Sequence, residues 1–165
     1  MHRTTRLRFP ALVVAALLAS VAPASAQQAP REGGAEVMAV VKRLFDGMRA
    51  GDSAMVRSVF HPQVRTLTVA KGRDGAQRLM VETSVDAFAK AVGTPHPQPW
   101  DERIWNEKVE IDGALASVWV DYSFFLGPTF SHCGIDHFLL VRGDDGVWRI
   151  ISLADTRRTE GCKTS

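Results

Sequence analysis

The C-terminal half of the chain sets the strongest constraint on its fold. From residue 100 to residue 156, four long segments of alternating apolar and polar residues are separated by short turn signals. Asp112-Gly113 suits a two-residue hairpin turn, and Gly127-Pro128 turns the next pair. Asp144-Asp145-Gly146 fits a three-residue loop with glycine in the left-handed position. The spacing predicts strands over 100–112, 114–126, 130–142 and 147–156, an antiparallel meander with one face to be covered. The N-terminal half supplies the cover. Val37, Val41, Leu44, Phe45 and Met48 form an apolar stripe on a helix over 35–50, with Gly51 placed as its C-cap. Asp52 is placed to cap a second helix over 53–60, ended by His61-Pro62. Residues 64–70 and 78–82 read as short strands. Ser84 is placed to cap a third helix over 85–92, closed by Gly93. Helices first and a long meander after them define one α+β domain, the usual number for 165 residues.

Residues 1–26 read as a secretory signal peptide. Arg3, Arg6 and Arg8 precede the apolar run at 11–19, Pro23 breaks it, and Ala24-Ser25-Ala26 has the small-x-small pattern of a cleavage site. The run is about half of the roughly 20 residues a membrane span needs. The expected mature chain starts at Gln27 and is periplasmic or secreted, with no membrane contact after cleavage. Residues 27–34 read as a flexible lead-in, 35–158 as the domain and 159–165 as a tail. Losing the three leader arginines takes the formal charge from +2 to about −1. That removes the basic footprint of a nucleic-acid binder. In an oxidising compartment the two cysteines are natural partners. The last hairpin brings Cys133 opposite Arg157, and Gly161 lets the tail return Cys162 to it, so a Cys133–Cys162 disulfide is expected.

Taken at their simplest, the turns pair Trp105 with Val120, Arg103 with Tyr122, and Asp136 with Val120 and Ala154. Arg103, Trp105, Tyr122, His132 and Asp136 then share the helix-covered face. Trp119, Phe125, Ile135, Leu139, Ile151 and Leu153 lie on the outer face. A mid-strand carboxylate among apolar neighbours is costly unless something offsets it. Asp136 is therefore the candidate proton-handling group, with Tyr122 or His132 as its electrophilic partner. Trp105, Arg103, Tyr122 and Asp136 are the candidate ligand-binding set. The plainer alternatives are that Asp136 pairs structurally with Arg103 or sits at a wet rim, and that Trp105 and Tyr122 are core aromatics. No metal site is expected. His132 and His137 face opposite sides of a strand, and His132 and Asp136 lie ~13 Å apart along it. No cofactor motif is present.

The element order, the FHPQV at 60–64 and the DHFLLVRGDDGVWRIISLADTRR at 136–158 resemble the nuclear transport factor 2-like superfamily. That group includes ketosteroid isomerases, polyketide cyclases and scytalone dehydratase, and an exported lumazine-binding branch. The resemblance implies a cone-shaped α+β fold, three N-terminal helices on a curved, mainly antiparallel sheet, with a pocket between them. It also implies dimerisation through the outer sheet face. Gln63 stands where many relatives carry an acid, so no role of that acid transfers. Three functions follow. The first is an exported module binding a small, pterin- or lumazine-like aromatic molecule. The second is an isomerase, dehydratase or cyclase using Asp136. The third is a ligand-free dimeric interaction domain. In the first two, Asp136→Asn is expected to weaken binding or abolish turnover while the fold survives.

Overall fold

The computed structural model describes residues 33–164. The expected signal peptide, its expected cleavage site and residues 27–32 of the expected lead-in lie outside that range. Helix α1 (Gly34–Ala50) starts one residue earlier than expected, because Gly33 is its N-cap in the left-handed region at φ 93°. Its stripe packs as the spacing requires: Val37, Val41, Leu44, Phe45 and Met48 are all buried. Phe45 meets Phe138 edge-on at 6.1 Å between ring centres. In a folded protein most helical stability comes from packing of the apolar face, so this buried stripe is what holds α1. Gly51 caps it at φ 67°. Asp52 then accepts a hydrogen bond from the Met55 amide at 2.9 Å and starts α2 (Ser53–Ser58).

Strand β1 (Phe60–Lys71) begins where the second helix was expected to continue, and it runs through His61-Pro62. Proline has no amide to donate, so it needs a strand position without a ladder partner. Pro62 has one: pairing to β1 lapses between Phe60 and Arg65. Strand β2 (Gln77–Glu82) is an exposed edge. Helix α3 (Asp86–Gly93) is capped by Val85 rather than Ser84, although the Ser84 hydroxyl accepts the Asp86 amide at 3.0 Å. Strands β3 (Trp100–Asp112), β4 (Leu115–Leu126), β5 (Thr129–Arg142) and β6 (Trp148–Arg157) form the meander. The sheet order is β2-β1-β6-β5-β4-β3, with only β1–β6 parallel. Helices α1 to α3 cover one face. No helix among the described residues is long and apolar enough to cross a membrane.

The register departs from the simplest one in two places that matter. The β3–β4 turn sits at Gly113-Ala114, which slides the partners by two residues and leaves each side chain on its expected face: Val109 meets Val118. A bulge at Asn106-Glu107 then shifts pairing by one, with Asn106 at φ 56°. Side chains alternate with period two, so a one-residue slip exchanges the faces. Trp105 pairs with Asp121 and Arg103 with Ser123, on the outer face; Glu102 and Ile104 turn inward. A second bulge lies at Ile151, between the Leu140–Ile150 and Leu139–Ser152 pairs. Beyond it Phe138 pairs with Leu153 and Asp136 with Asp155, where Ser152 and Ala154 were expected. Leu153 therefore leaves the expected outer set.

The tail folds over the outer face. Cys133 and Cys162 are bridged, with Cα atoms 5.7 Å apart. The Ser123 hydroxyl donates to the Lys163 carbonyl at 2.6 Å, and the Lys163 ammonium lies 5.1 Å from the Trp105 ring centre. Arg103 stacks on Phe125 at 4.1 Å, which is why Phe125 is buried on that face. Trp119 remains half exposed.

Candidate functional site

The two bulges build one polar end to the space between helices and sheet. A cavity of about 80 Å³ lies there. Helix α1 contributes Leu44, Phe45 and Met48, and α3 contributes Phe88. The sheet contributes Glu102 from β3, Tyr122 from β4, His132 and Asp136 from β5, and Leu153, Asp155 and Arg157 from β6. Of the residues expected on this face, Tyr122, His132 and Asp136 are brought together. Arg103 and Trp105 are not: the Asn106-Glu107 bulge puts them on the opposite side of the sheet. Asp136 therefore has no Arg103 partner; Arg103 instead pairs with Asp101 at 2.8 Å.

Glu102, Asp155 and Arg157 were missed by sequence reasoning. Both bulges leave a trace in the sequence. Asn106 tolerates the left-handed conformation, and Asn106-Glu107-Lys108 breaks the strand's alternation. Ile150-Ile151 are adjacent large apolar residues inside a strand, where alternation calls for only one. These are the marks to look for.

Asp136 is only 3% exposed, and its carboxyl hydrogen-bonds the Glu102 carboxyl. Two carboxylates cannot share a hydrogen bond, so one must keep a proton. Burial, the Glu102 charge beside it and the bond to Glu102 push Asp136 well above the carboxylate range, making it the donor. Burial lifts Glu102 to about 7; the Asp136 bond lowers it, the Asp155 charge adds to the rise, and Arg157 pulls it back. The pair thus holds at least one proton through neutral pH. Asp155 is tied separately, accepting from Thr68 and from Arg157 Nε at 2.7 Å.

Tyr122 is buried, and its hydroxyl donates to the Thr156 carbonyl at 2.9 Å. Burial and the neighbouring acids Asp136, Glu102 and Asp155 push its ionisation up. Its proton is committed to the backbone, which leaves it a positioning role. His132 stands edge-on to Tyr122 at 5.8 Å, and the Ser131 hydroxyl contacts its Nδ1 at 3.0 Å. Burial, and then Arg157, hold its imidazole below the ordinary histidine value, so it is neutral at pH 7. No group of three or more His, Cys, Asp or Glu among the described residues is arranged to hold a metal ion.

Helices α1 to α3 packed on one face of this mainly antiparallel six-stranded sheet give the chain the fold of solved nuclear transport factor 2-like structures. The chain belongs to the family described as "Putative lumazine-binding", whose model matches residues 32–154. Solved structures agree on the fold. An NTF2-like protein of unknown function from Shewanella baltica has a TM-score of 0.58 at 19% identity, over 76% of this chain and 94% of that one. A "putative ketosteroid isomerase" from Shewanella frigidimarina has a TM-score of 0.53 at 17% identity, over 73% and 94%. An NTF2-like protein with a cystatin-like fold from Novosphingobium aromaticivorans has a TM-score of 0.60 at 13% identity, over 78% and 82%. No curated protein matches the chain in sequence.

Proposed function

We propose that the protein is an exported domain that binds a small molecule through the Glu102–Asp136 pair. The carrying observation is that pair, placed at the polar end of a cavity otherwise lined by Leu44, Phe45, Met48, Phe88 and Leu153. Pockets of this kind combine an apolar lining with a few convergent polar groups. Ionised Glu102 accepts an N–H; protonated, it donates to a carbonyl. The adjacent N–H and C=O groups of a lumazine-like pteridine match those two states, in keeping with the family's description. About 80 Å³ holds only two or three waters. The cavity therefore takes one edge of such a ligand, and its bulk stays outside. Calorimetric titration of the mature protein with lumazine is expected to show saturable one-to-one binding, lost in Leu153→Phe, which fills the cavity. Absence of binding, or wild-type affinity in the filled variant, would contradict this reading.

A second reading is proton-transfer catalysis of the isomerase or dehydratase kind. It is favoured by one observation: Glu102 exchanges its proton near neutral pH, where a general acid–base works best.

The export reading rests on residues 1–26 and on the Cys133–Cys162 pair, which an oxidising compartment maintains. Intact-mass analysis of exported protein is expected to give a chain beginning at Gln27 with no free thiol. Retention of residues 1–26, or two free thiols, would contradict it. Trp119, Leu139 and Ile151 make the tail-free part of the outer face the candidate dimer surface. Leu139→Arg is expected to convert a dimer to a monomer in sedimentation. A wild-type protein that already sediments as a monomer would end the dimer proposal.

A further inference from the structure

Strand β2 is a free edge of the sheet, and all six of its residues are exposed. They include three large apolar side chains in a row: Leu79, Met80 and Val81, at 62%, 49% and 52% exposure. An uncovered edge presents unpaired N–H and C=O groups to any strand that can reach it. Which groups are free follows from the hairpin. The bond next to its turn runs from the Gly72 amide to the Ala76 carbonyl at 2.9 Å. Bonded and non-bonded pairs alternate along an antiparallel ladder, so Ala70–Arg78, Thr68–Met80 and Thr66–Glu82 are the bonded pairs. Gln77, Leu79 and Val81 therefore turn their backbone groups outward. Side chains alternate too. Thr68 reaches Asp155 on the helix-covered face, so Arg78, Met80 and Glu82 lie on that face, and Leu79 and Val81 on the other.

We propose that β2 pairs antiparallel with β2 of a second copy of this chain, about a two-fold axis at Met80. Only residues with free backbone groups can bond each other. That excludes every register setting Gln77, Leu79 or Val81 against Arg78, Met80 or Glu82. Of the registers that remain, the one centred on Met80 pairs Leu79 with Val81 of the partner subunit and Arg78 with Glu82 of the partner subunit, each twice. It sets opposite charges face to face at both ends and apolar residues against each other between them. Centring on Leu79 sets Arg78 against Met80 of the partner subunit, and centring on Val81 does the same to Glu82. Both charges are available. Arg78 pairs with Asp74 in an exposed contact that contributes little, and Glu82 has no ion-pair partner among the described residues. Such an isologous contact joins two sheets edge to edge. Its few residues a side fall well short of a standard interface, so it forms in concentrated protein, separately from the outer-face dimer.

Engineered thiols test the register, because both native cysteines are bridged. Met80 meets its own copy across the axis as a non-bonded pair, with Cβ atoms roughly 4.5 Å apart, near the ~4 Å of a disulfide. In concentrated protein under mild oxidation, Met80→Cys is expected to form a disulfide-linked dimer at least tenfold faster than Leu79→Cys or Val81→Cys, whose thiols lie out of register. Adding Arg78→Glu is expected to slow the Met80→Cys cross-link several-fold, and adding Glu82→Arg as well is expected to restore it. Leu139→Arg is expected to leave the cross-link unchanged, since the outer face plays no part in it. Absence of a cross-link, equal rates at all three positions, or no rescue by the reversed charge pair would overturn the two-fold pairing. Loss of the cross-link in Leu139→Arg would overturn it too, by assigning the contact to the outer face.

Discussion

Gly134→Ala is expected to cost more than ~4 kcal/mol and to leave the domain largely unfolded at ordinary temperatures. A Cβ at this position would lie 1.7 Å from the Thr156 carbonyl oxygen and 2.9 Å from Tyr122 Cε1. Neither neighbour can retreat. The carbonyl belongs to β6 and accepts the Tyr122 hydroxyl, and Tyr122 is itself buried on the sheet with no free side to move into. The absent side chain lets three strands close around the site, with Tyr122 opposite Gly134 and Thr156 beyond. Gly34→Ala is the control, since nothing lies within 4 Å of its added carbon and a helix start tolerates alanine. Urea unfolding should separate the two variants clearly. A Gly134→Ala midpoint close to wild type would mean that β6 lies elsewhere.

The second large effect is on the pH dependence of stability. Folded Glu102 binds its proton more tightly than the unfolded chain does, with its value raised from 4.5 to about 7. A raised carboxyl stabilises the fold below the unfolded value, and that contribution is lost as pH rises through the folded one. The full shift corresponds to ~3 kcal/mol between about pH 4.5 and pH 7. His132 works in the opposite sense over lower pH, because its folded value is depressed. The difference curve between wild type and Glu102→Gln isolates the carboxyl. Glu102→Gln is expected to be the more stable protein at pH 8 and to have a flatter curve between pH 5 and 8. Parallel curves would mean that Glu102 is an ordinary surface acid. Asp136→Asn separates the two functional readings. The amide copies the protonated Asp136 donor, so the structure narrows the earlier expectation: neutral-ligand binding survives, and any proton-transfer turnover is lost.

Much of this architecture is legible before any coordinates. The α1 stripe, the Gly51 and Asp52 caps and the glycine turns are local signals, decided by helical period and by backbone conformations that few residues adopt. Tyr122, His132 and Asp136 share a face because the β4–β5 register follows from its turn, with Tyr122 opposite Gly134. Glu102, Asp155 and Arg157 were not legible, and Arg103 and Trp105 were misplaced, for one physical reason. A bulge inserts one residue and inverts every side chain beyond it, and its local cost is decided by the partner strand. Asn106 and Ile151 re-aim β3 and β6, and the acids they deliver are the ones that make Asp136 unusual. The end of α2 failed for a related reason: Pro62 reads as a helix stop but sits comfortably in an unpaired stretch of β1.

One proton shared between the Glu102 and Asp136 carboxyls is what makes this cavity chemically distinctive. Carbon-13 NMR titration of the side-chain carboxyls, assigned with Glu102→Gln and Asp136→Asn, reads that directly. Asp136 is expected to stay protonated through neutral pH and Glu102 to titrate at about 7. Both carboxyls ionising near pH 4, as ordinary surface acids do, would contradict it.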